Sequence, residues 1–271
     1  MRTFRYSSGA HGVDLNDPDG ALVGQIADIR THAWEYSLSA RNITGVSKPA
    51  RETSVVAIFQ DRGILEAATA RWDADMRNGV PGVLEIDGWT QRAYVSGVKP
   101  DYVIPGLVRA ELTIVLLDGW WRRGTTQAFN PVLLPAAQWL DYPYDYPHDF
   151  APGQLGARVS NPSLTASPIK MVIYGPATNP YVVIGANRYQ VDVSVPAGGY
   201  LTVDGVQRSI VVTSPEGDKL DVFAAGHRGR GRDRGEYIFQ PIPPGSSDVS
   251  WANGFGFDLT VYEERSTPPW T

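Results

Sequence analysis

The 271-residue chain has no cysteine, only four histidines and three methionines, and no excess of basic residues. Each shortage removes a class of function. Without cysteine there are no disulfides, no zinc–thiolate sites and no thiol nucleophile, and the chain suits folding in a reducing cytoplasm. His11, His32, His148 and His227 are scattered. None has a second histidine or a carboxylate at metal-ligand spacing and no H-E-x-x-H occurs, so they read as packed or solvated imidazoles. Lys and Arg number 24 against 29 Asp and Glu, a net charge of −5. That speaks against a protein that coats nucleic acid and leaves room only for a local basic patch. The most apolar stretch, Leu112 to Leu117, falls far short of the ~20 residues of a membrane helix. Met1 to Tyr6 holds no apolar core of a signal peptide. The chain is therefore expected to be soluble, with no membrane partner. No fixed repeat is present, which excludes a propeller or solenoid.

What is present is strand pattern in two halves around a tract that cannot lie inside a sheet. Asp141 to Phe150 reads D-Y-P-Y-D-Y-P-H-D-F. Each proline there lacks an N–H and pushes its predecessor toward extended backbone, so the tract reads as a boundary laid over a surface. Domains cluster at roughly 100–150 residues, and two β-rich domains follow: residues 1–125, a Pro/Tyr-rich linker at 126–155, and residues 156–271.

In the first domain the best strands are Trp34 to Leu38, Thr53 to Phe59, Val83 to Ile86, Arg92 to Val98 and Val108 to Leu117, rich in β-branched and aromatic residues. Asp87-Gly88 before Trp89 signals a hairpin, and Asn16 to Gly20 a turn. From Gly63 to Asn78 the apolar residues Ile64, Leu65, Ala68, Trp72 and Met76 recur at helical spacing, with Asp61 as N-cap and Asn78-Gly79 as a left-handed stop. This one amphipathic helix belongs across a face of the sheet, with Trp72 as its anchor. The second domain carries short strands at Ala157 to Val159, Ile169 to Tyr174, Tyr181 to Ile184, Arg188 to Val195, Tyr200 to Val203, Ser209 to Thr213, Glu236 to Pro241, Asp248 to Trp251 and Asp258 to Tyr262. Evenly spaced short strands without a helix imply an antiparallel sandwich or jelly roll.

No constellation for catalysis emerges. Gly245-Ser246-Ser247 is not a nucleophile elbow. Asp14 to Gly20 has calcium-loop character with the carboxylate spacing off by one and Gln25 at the twelfth position, so it reads as an Asp/Pro/Gly turn. Gly226 to Gly235, with Arg228, Arg230, Arg232 and Arg234, is the densest charge in the chain. It reads as a solvated loop linking two strands, with contact to an acidic partner or a nucleic-acid backbone as the alternative. Trp251, Trp270 and the linker tyrosines could form a sugar platform, yet Val249 and Trp251 alternate as an inward face does. No catalytic, cofactor-binding or metal-ligating residue is assigned, and no cofactor is expected.

The order of several short motifs carries a resemblance. The tract from Tyr142 to Phe150, Asn161-Pro162, Ile173 to Pro176, Asn179-Pro180, Leu201 to Gly205, Ile242 to Gly245, and Thr260 to Ser266 with Trp270 together resemble the distal tail proteins of long, non-contractile-tailed bacteriophages. The N-terminal half, with its single helix and the Leu117 to Trp121 exit, is similar to that family's ring-forming domain. The resemblance implies a mainly β, two-domain chain: an N-terminal tail-tube-like β-sandwich or barrel with one α-helix, and a C-terminal galectin-like antiparallel β-sandwich. It implies a non-enzymatic structural protein of the virion, made in the host bacterial cytoplasm and placed at the distal end of the tail. Such a protein forms a homo-hexameric ring between the major tail tube protein and a tail-associated fibre or lysin (hub) protein. Tape-measure and receptor-binding proteins are further neighbours, and DNA passes through without specific binding. The H-x-N-x-R strand motif of sugar-binding galectins is absent, and fold alone does not give function. Two alternatives stand beside this reading: a carbohydrate-binding adhesion module of the tail, and a polysaccharide-degrading tail enzyme.

Overall fold

The computed structural model describes residues 3–9, 11–24, 28–131, 157–252 and 254–269. The Asp141 to Phe150 tract with His148, Gln25 and Trp270 lie outside them. The chain divides into two compact units, Met1–Arg123 with Glu264–Thr271, and Gly124–Glu263. The second unit thus starts well before residue 156, and the last residues of the chain belong to the first unit.

The first unit contains β1 (Phe4–Ser8), β2 (His11–Asp14), β3 (Ala21–Val23), β4 (Glu35–Leu38), β5 (Ile43–Ser47), β6 (Arg51–Phe59), helix α1 (Arg62–Asn78), β7 (Gly82–Ile86), β8 (Trp89–Ile104), β9 (Leu107–Leu116) and the start of β10 (Trp121–Phe129). Hydrogen bonding orders the strands β2-β1-β7-β8-β9-β6-β3, every pairing antiparallel. The segment after β2 closes this sheet into a barrel: Leu15 N donates to Phe4 O at 2.7 Å, and Val23 N donates to Leu15 O at 2.8 Å. Period-two alternation fills the interior. Val55, Ala57 and Phe59 of β6 face Leu112, Ala110 and Val108 of β9 within one core. The Asp87-Gly88 hairpin forms as expected, with positive φ of 50° and 78° at the two turn residues, the backbone that a two-residue turn between twisted strands demands.

Helix α1 also follows its sequence signals. The Asp61 side chain accepts from Gly63 N, and Gly79 ends the helix in the left-handed region at φ 65°. Leu65, Ala68 and Trp72 are buried in the barrel's core cluster, and Trp72 is 2% exposed. Met76 departs from the expected stripe and is 47% exposed. One residue earlier the carboxylate of Asp75 is occupied by Tyr6 Oη at 2.8 Å and Ser8 Oγ at 2.6 Å, so a polar contact takes over where the apolar seam ends.

The second unit contains β11 (Arg158–Asn161), β12 (Ile169–Tyr174), β13 (Ala177–Thr178), β14 (Tyr181–Ile184), β15 (Asn187–Gln190), β16 (Ser194–Val195), β17 (Tyr200–Asp204), β18 (Ser209–Thr213), β19 (Lys219–Asp221), β20 (Gly245–Trp251) and most of β21 (Phe257–Arg265). Two antiparallel sheets, β19-β18-β17-β12-β21 and β11-β20-β14-β15, enclose one core. Residues Glu236 to Pro241 are not the expected strand. They form a turn in which Gln240 N donates to Tyr237 O at 3.0 Å. Ile238 N donates to His227 O at 2.9 Å, and Ile238 and Phe239 are both buried without joining any named strand. The Arg188 to Val195 segment is two strands, because Asp192 N leaves the ladder to donate to Ala225 O at 3.0 Å.

Candidate functional site: the exposed hairpins of the first unit

The residue types that could do chemistry are dispersed or engaged in structure. Among the described residues no group of three or more His, Cys, Asp or Glu could hold a metal ion. In the Asp14 to Gly20 turn the carboxylates cap backbone: Asp14 Oδ1 accepts from Asn16 N at 2.8 Å and Asp17 Oδ1 from Asp19 N at 3.0 Å. His11 and His32 are exposed. His227 Nε2 and Asp192 Oδ2 share a hydrogen bond of 2.7 Å. That bond, aided by Gln190 Nε2 on the other oxygen, holds the Asp192 carboxyl below its usual range.

The Gly/Arg loop is tied down at several points. The Arg228 guanidinium lies 4.2 Å from the Phe223 ring and donates to Phe223 O at 2.9 Å. Asp233 and Gln240 exchange two hydrogen bonds of 2.8 and 2.6 Å. Arg230, Arg232 and Arg234 are exposed. Trp251 is buried in the second unit, as its alternation implied, and its indole N–H donates to Phe255 O at 3.0 Å. It offers no platform to a sugar.

The feature that stands out is surface. Strands β4 and β5 form a hairpin that pairs with no third strand among the described residues, and every residue in both strands is exposed. Four of those residues are large and apolar: Tyr36, Leu38, Ile43 and Val46, with Leu38 75% exposed. A two-stranded hairpin is marginal in water by itself, so its stem needs an anchor. The anchor is an aromatic clamp. Lys48 Nζ lies 4.9 Å from the Trp34 ring and 4.5 Å from the Trp120 ring, and the two rings meet edge to face at 5.3 Å. Burial, with Arg51 nearby, pushes the Lys48 ammonium below its usual pKa. Gly119 makes the approach possible: a Cβ there would sit 2.6 Å from Lys48 O, and its φ is 67°. The Trp120 to Arg123 run therefore has a structural explanation on both faces. Trp121 is core, while Arg122 and Arg123 reach Glu264 and the Trp89 ring.

A second exposed hairpin is formed by the far ends of β8 and β9, where Tyr102, Val103 and Ile104 are exposed. Between it and α1 lies a groove of about 570 Å³ whose lining includes Leu65, Val98 and Val108, with Arg62, Glu66 and Asp73 of the helix beside them. An apolar protrusion and an apolar groove are features by which proteins recognise partners or ligands.

No family model matches the chain, and no curated protein matches its sequence. Solved structures do match in fold. The chain is similar to SPP1 Dit, presented as a paradigm of the hub adsorption apparatus in phages infecting Gram-positive bacteria. That match has a TM-score of 0.54 and 14% identity, over 97% of this chain and 99% of that one. It is also similar to chains of the phage P2 baseplate in its activated conformation, with TM-scores of 0.58 for the form with Ca and 0.59 for the form with Sr. Both are 10% identical over 99% of this chain and 100% of the other. At these identities the likeness is one of fold. The two-domain, mainly β fold expected from the motif order is the one found, shared with a phage hub protein and with phage baseplate chains.

Proposed function

We propose that this chain is a distal tail protein of a siphovirus, a structural hub subunit that joins the tail tube to the tip or baseplate and its host-binding proteins. The observation that carries the reading is coverage: the match to SPP1 Dit runs over 97% of this chain and 99% of that one, so both units have a counterpart in a single hub protein. In this reading six copies form a ring through the first unit. The major tail tube protein lies on one side and a fibre or lysin hub protein on the other, with tape-measure and receptor-binding proteins as further neighbours. The ring lets DNA pass without binding it specifically. The second unit is an outward-facing galectin-like sandwich, and no catalysis is assigned to either unit.

The exposed apolar hairpin supports an assembly role, since a large unpartnered apolar patch marks an interaction surface. Identical subunits joined through two different surfaces close into a ring when the rotation per subunit fits. Electron microscopy of purified tail tips tests the reading. The expected result is a sixfold ring of density that this chain fits. Absence of the chain from virions, or one copy per tail, overturns it.

A further inference from the structure

We propose that the β4–β5 hairpin of one copy seats in the groove between α1 and the β8–β9 hairpin of the next copy. The inference rests on the ring reading and names the surfaces that join. Three observations carry it.

The first is complementarity of shape and polarity. Leu38 and Ile43 are directly opposed across the hairpin, so they share one face. Tyr36 stands two residues from Leu38, 54% exposed, and adds an aromatic ring to that face. The groove presents Val98, Pro100 and Val103 to such a face over a floor of buried Leu65 and Val108, and Val103 is 47% exposed in the isolated chain.

The second is charge. The only charged residue at the hairpin turn is Arg41. The helix wall of the groove carries exposed Glu66 and Asp73, which fall on one helical face two turns apart. Arg62, one turn before Glu66, leaves that wall with one surplus negative charge to meet Arg41.

The third is distance, which decides who the occupant is. Arg51 at the start of β6 pairs with Leu116, and Phe59 at its end pairs with Val108. The hairpin leaves the fold just before Arg51, and the groove begins just beyond Phe59 with Arg62 and Val108. The nine residues of β6 separate them, roughly 26 Å at ~3.3 Å per residue. The clamp holds Lys48 against Trp120, so the free arm is the five rises from Lys48 to Ile43, about 16 Å at ~3.3 Å per residue. It cannot fold back onto its own groove, so a second copy is the natural occupant, through the heterologous kind of contact a ring requires.

The absence of cysteine makes the test direct. Leu38→Cys and Ala70→Cys, both at exposed positions, are made as separate full-length proteins, mixed, oxidised at high protein concentration and run on a denaturing gel. Native mass spectrometry of the unsubstituted chain at the same concentration records the oligomer. The expected result is a covalent dimer from the mixture and little from either protein alone. Arg41→Glu should cut the yield severalfold, and Glu66→Arg in the partner should restore it. Oligomers without the mixed cross-link overturn this seat and leave the ring standing. Leu38→Cys pairing with itself overturns it too, since the contact would then be hairpin to hairpin. A cross-link to an added tail tube protein in place of the second copy assigns the groove or hairpin to that partner and also overturns it. A chain that stays monomeric at millimolar concentration, with no cross-link, overturns seat and ring together.

Discussion

Arg122 and Glu264, 142 residues apart in sequence, meet through a guanidinium–carboxylate hydrogen bond of 2.8 Å. Their side chains are 15% and 21% exposed. Arg122 also lies 3.3 Å from Asp118, Arg265 packs on the Trp89 ring at 4.8 Å, and Arg30 donates to Pro269 O at 2.8 Å. These contacts draw the end of the chain into the first unit. Surface pairs contribute about 0–1 kcal/mol and broken buried pairs cost about 3–5 kcal/mol. Glu264→Ala should fall between, near 1–2 kcal/mol, because Arg122 keeps Asp118. The urea midpoint of the first unit's transition measures it, and an unchanged midpoint would leave the attachment to Arg265 and Arg30.

The second prediction concerns where the second unit begins. The Phe129 ring stacks on Phe257 at 4.7 Å and meets Trp251 edge to face at 5.6 Å, so it belongs to that unit's core. Residues 124–263 expressed alone should melt cooperatively. A fragment starting at residue 156 loses this ring and should melt well below it. Phe129→Ala in the longer fragment should cost about 3–5 kcal/mol. Equal melting temperatures for the two fragments would return the boundary to the Pro/Tyr tract.

Much of this was legible in the residues, and the gaps have physical causes. Helix α1 was readable because cap, stripe and stop all agreed on one span, and the Asp87-Gly88 turn because two positive φ angles in a row suit few other dipeptides. Strands β1 and β2 were missed: F-R-Y-S-S and H-G-V-D hold few β-branched residues, and tertiary pairing with β7 makes them strands. Ile238 and Phe239 read as strand because composition registers their apolarity and not the turn from Tyr237 to Gln240 that holds them. The return of Glu264 to Arg122 has no local signature at all. Nor has the groove, which exists only once α1 lies beside the β8–β9 hairpin, while the Trp34 to Leu38 stretch read as strand without revealing that its apolar side chains face solvent.

Alkaline pH gives a third test. Tyr6 Oη donates to Asp75 at 2.8 Å and accepts from Gly82 N at 3.2 Å. Burial first, then the Asp75 hydrogen bond, raises its pKa well above the ordinary 10.0, and burial does the same for Tyr189. The unfolded chain ionises these phenols near 10 and the folded one resists. Stability is therefore full below about pH 10 and falls as pH climbs toward the folded values. The urea midpoint should be flat from about pH 7 to 9 and decline above about pH 10. Tyr6→Phe with Tyr189→Phe should flatten most of that decline, and a wild-type profile flat through about pH 11.5 would contradict the burial argument.

The clamp at the hairpin stem offers the last prediction, because it separates stability from recognition. Trp34 and Lys48 flank the hairpin and close on Trp120, yet none of these three side chains is part of the barrel's buried core. Trp34→Ala should remove one face of the clamp and lower the first unit's stability by no more than about 1 kcal/mol, the scale of an exposed cation–π contact. The loosened hairpin then has to be ordered again on every association, at about 0.5–1.5 kcal/mol per immobilised side chain. Subunit affinity should drop by roughly tenfold, since 1.4 kcal/mol is a factor of ten. Hydrogen exchange reports the first half of the effect, as faster exchange of the β4 and β5 amides with the β6 and β9 amides unchanged. Sedimentation equilibrium reports the second. Slowed or unchanged exchange in the hairpin would mean that the clamp is not what holds it. Faster exchange spreading into β6 would mean that the hairpin supports the barrel, and then its exposed face is not free to be spent on a partner.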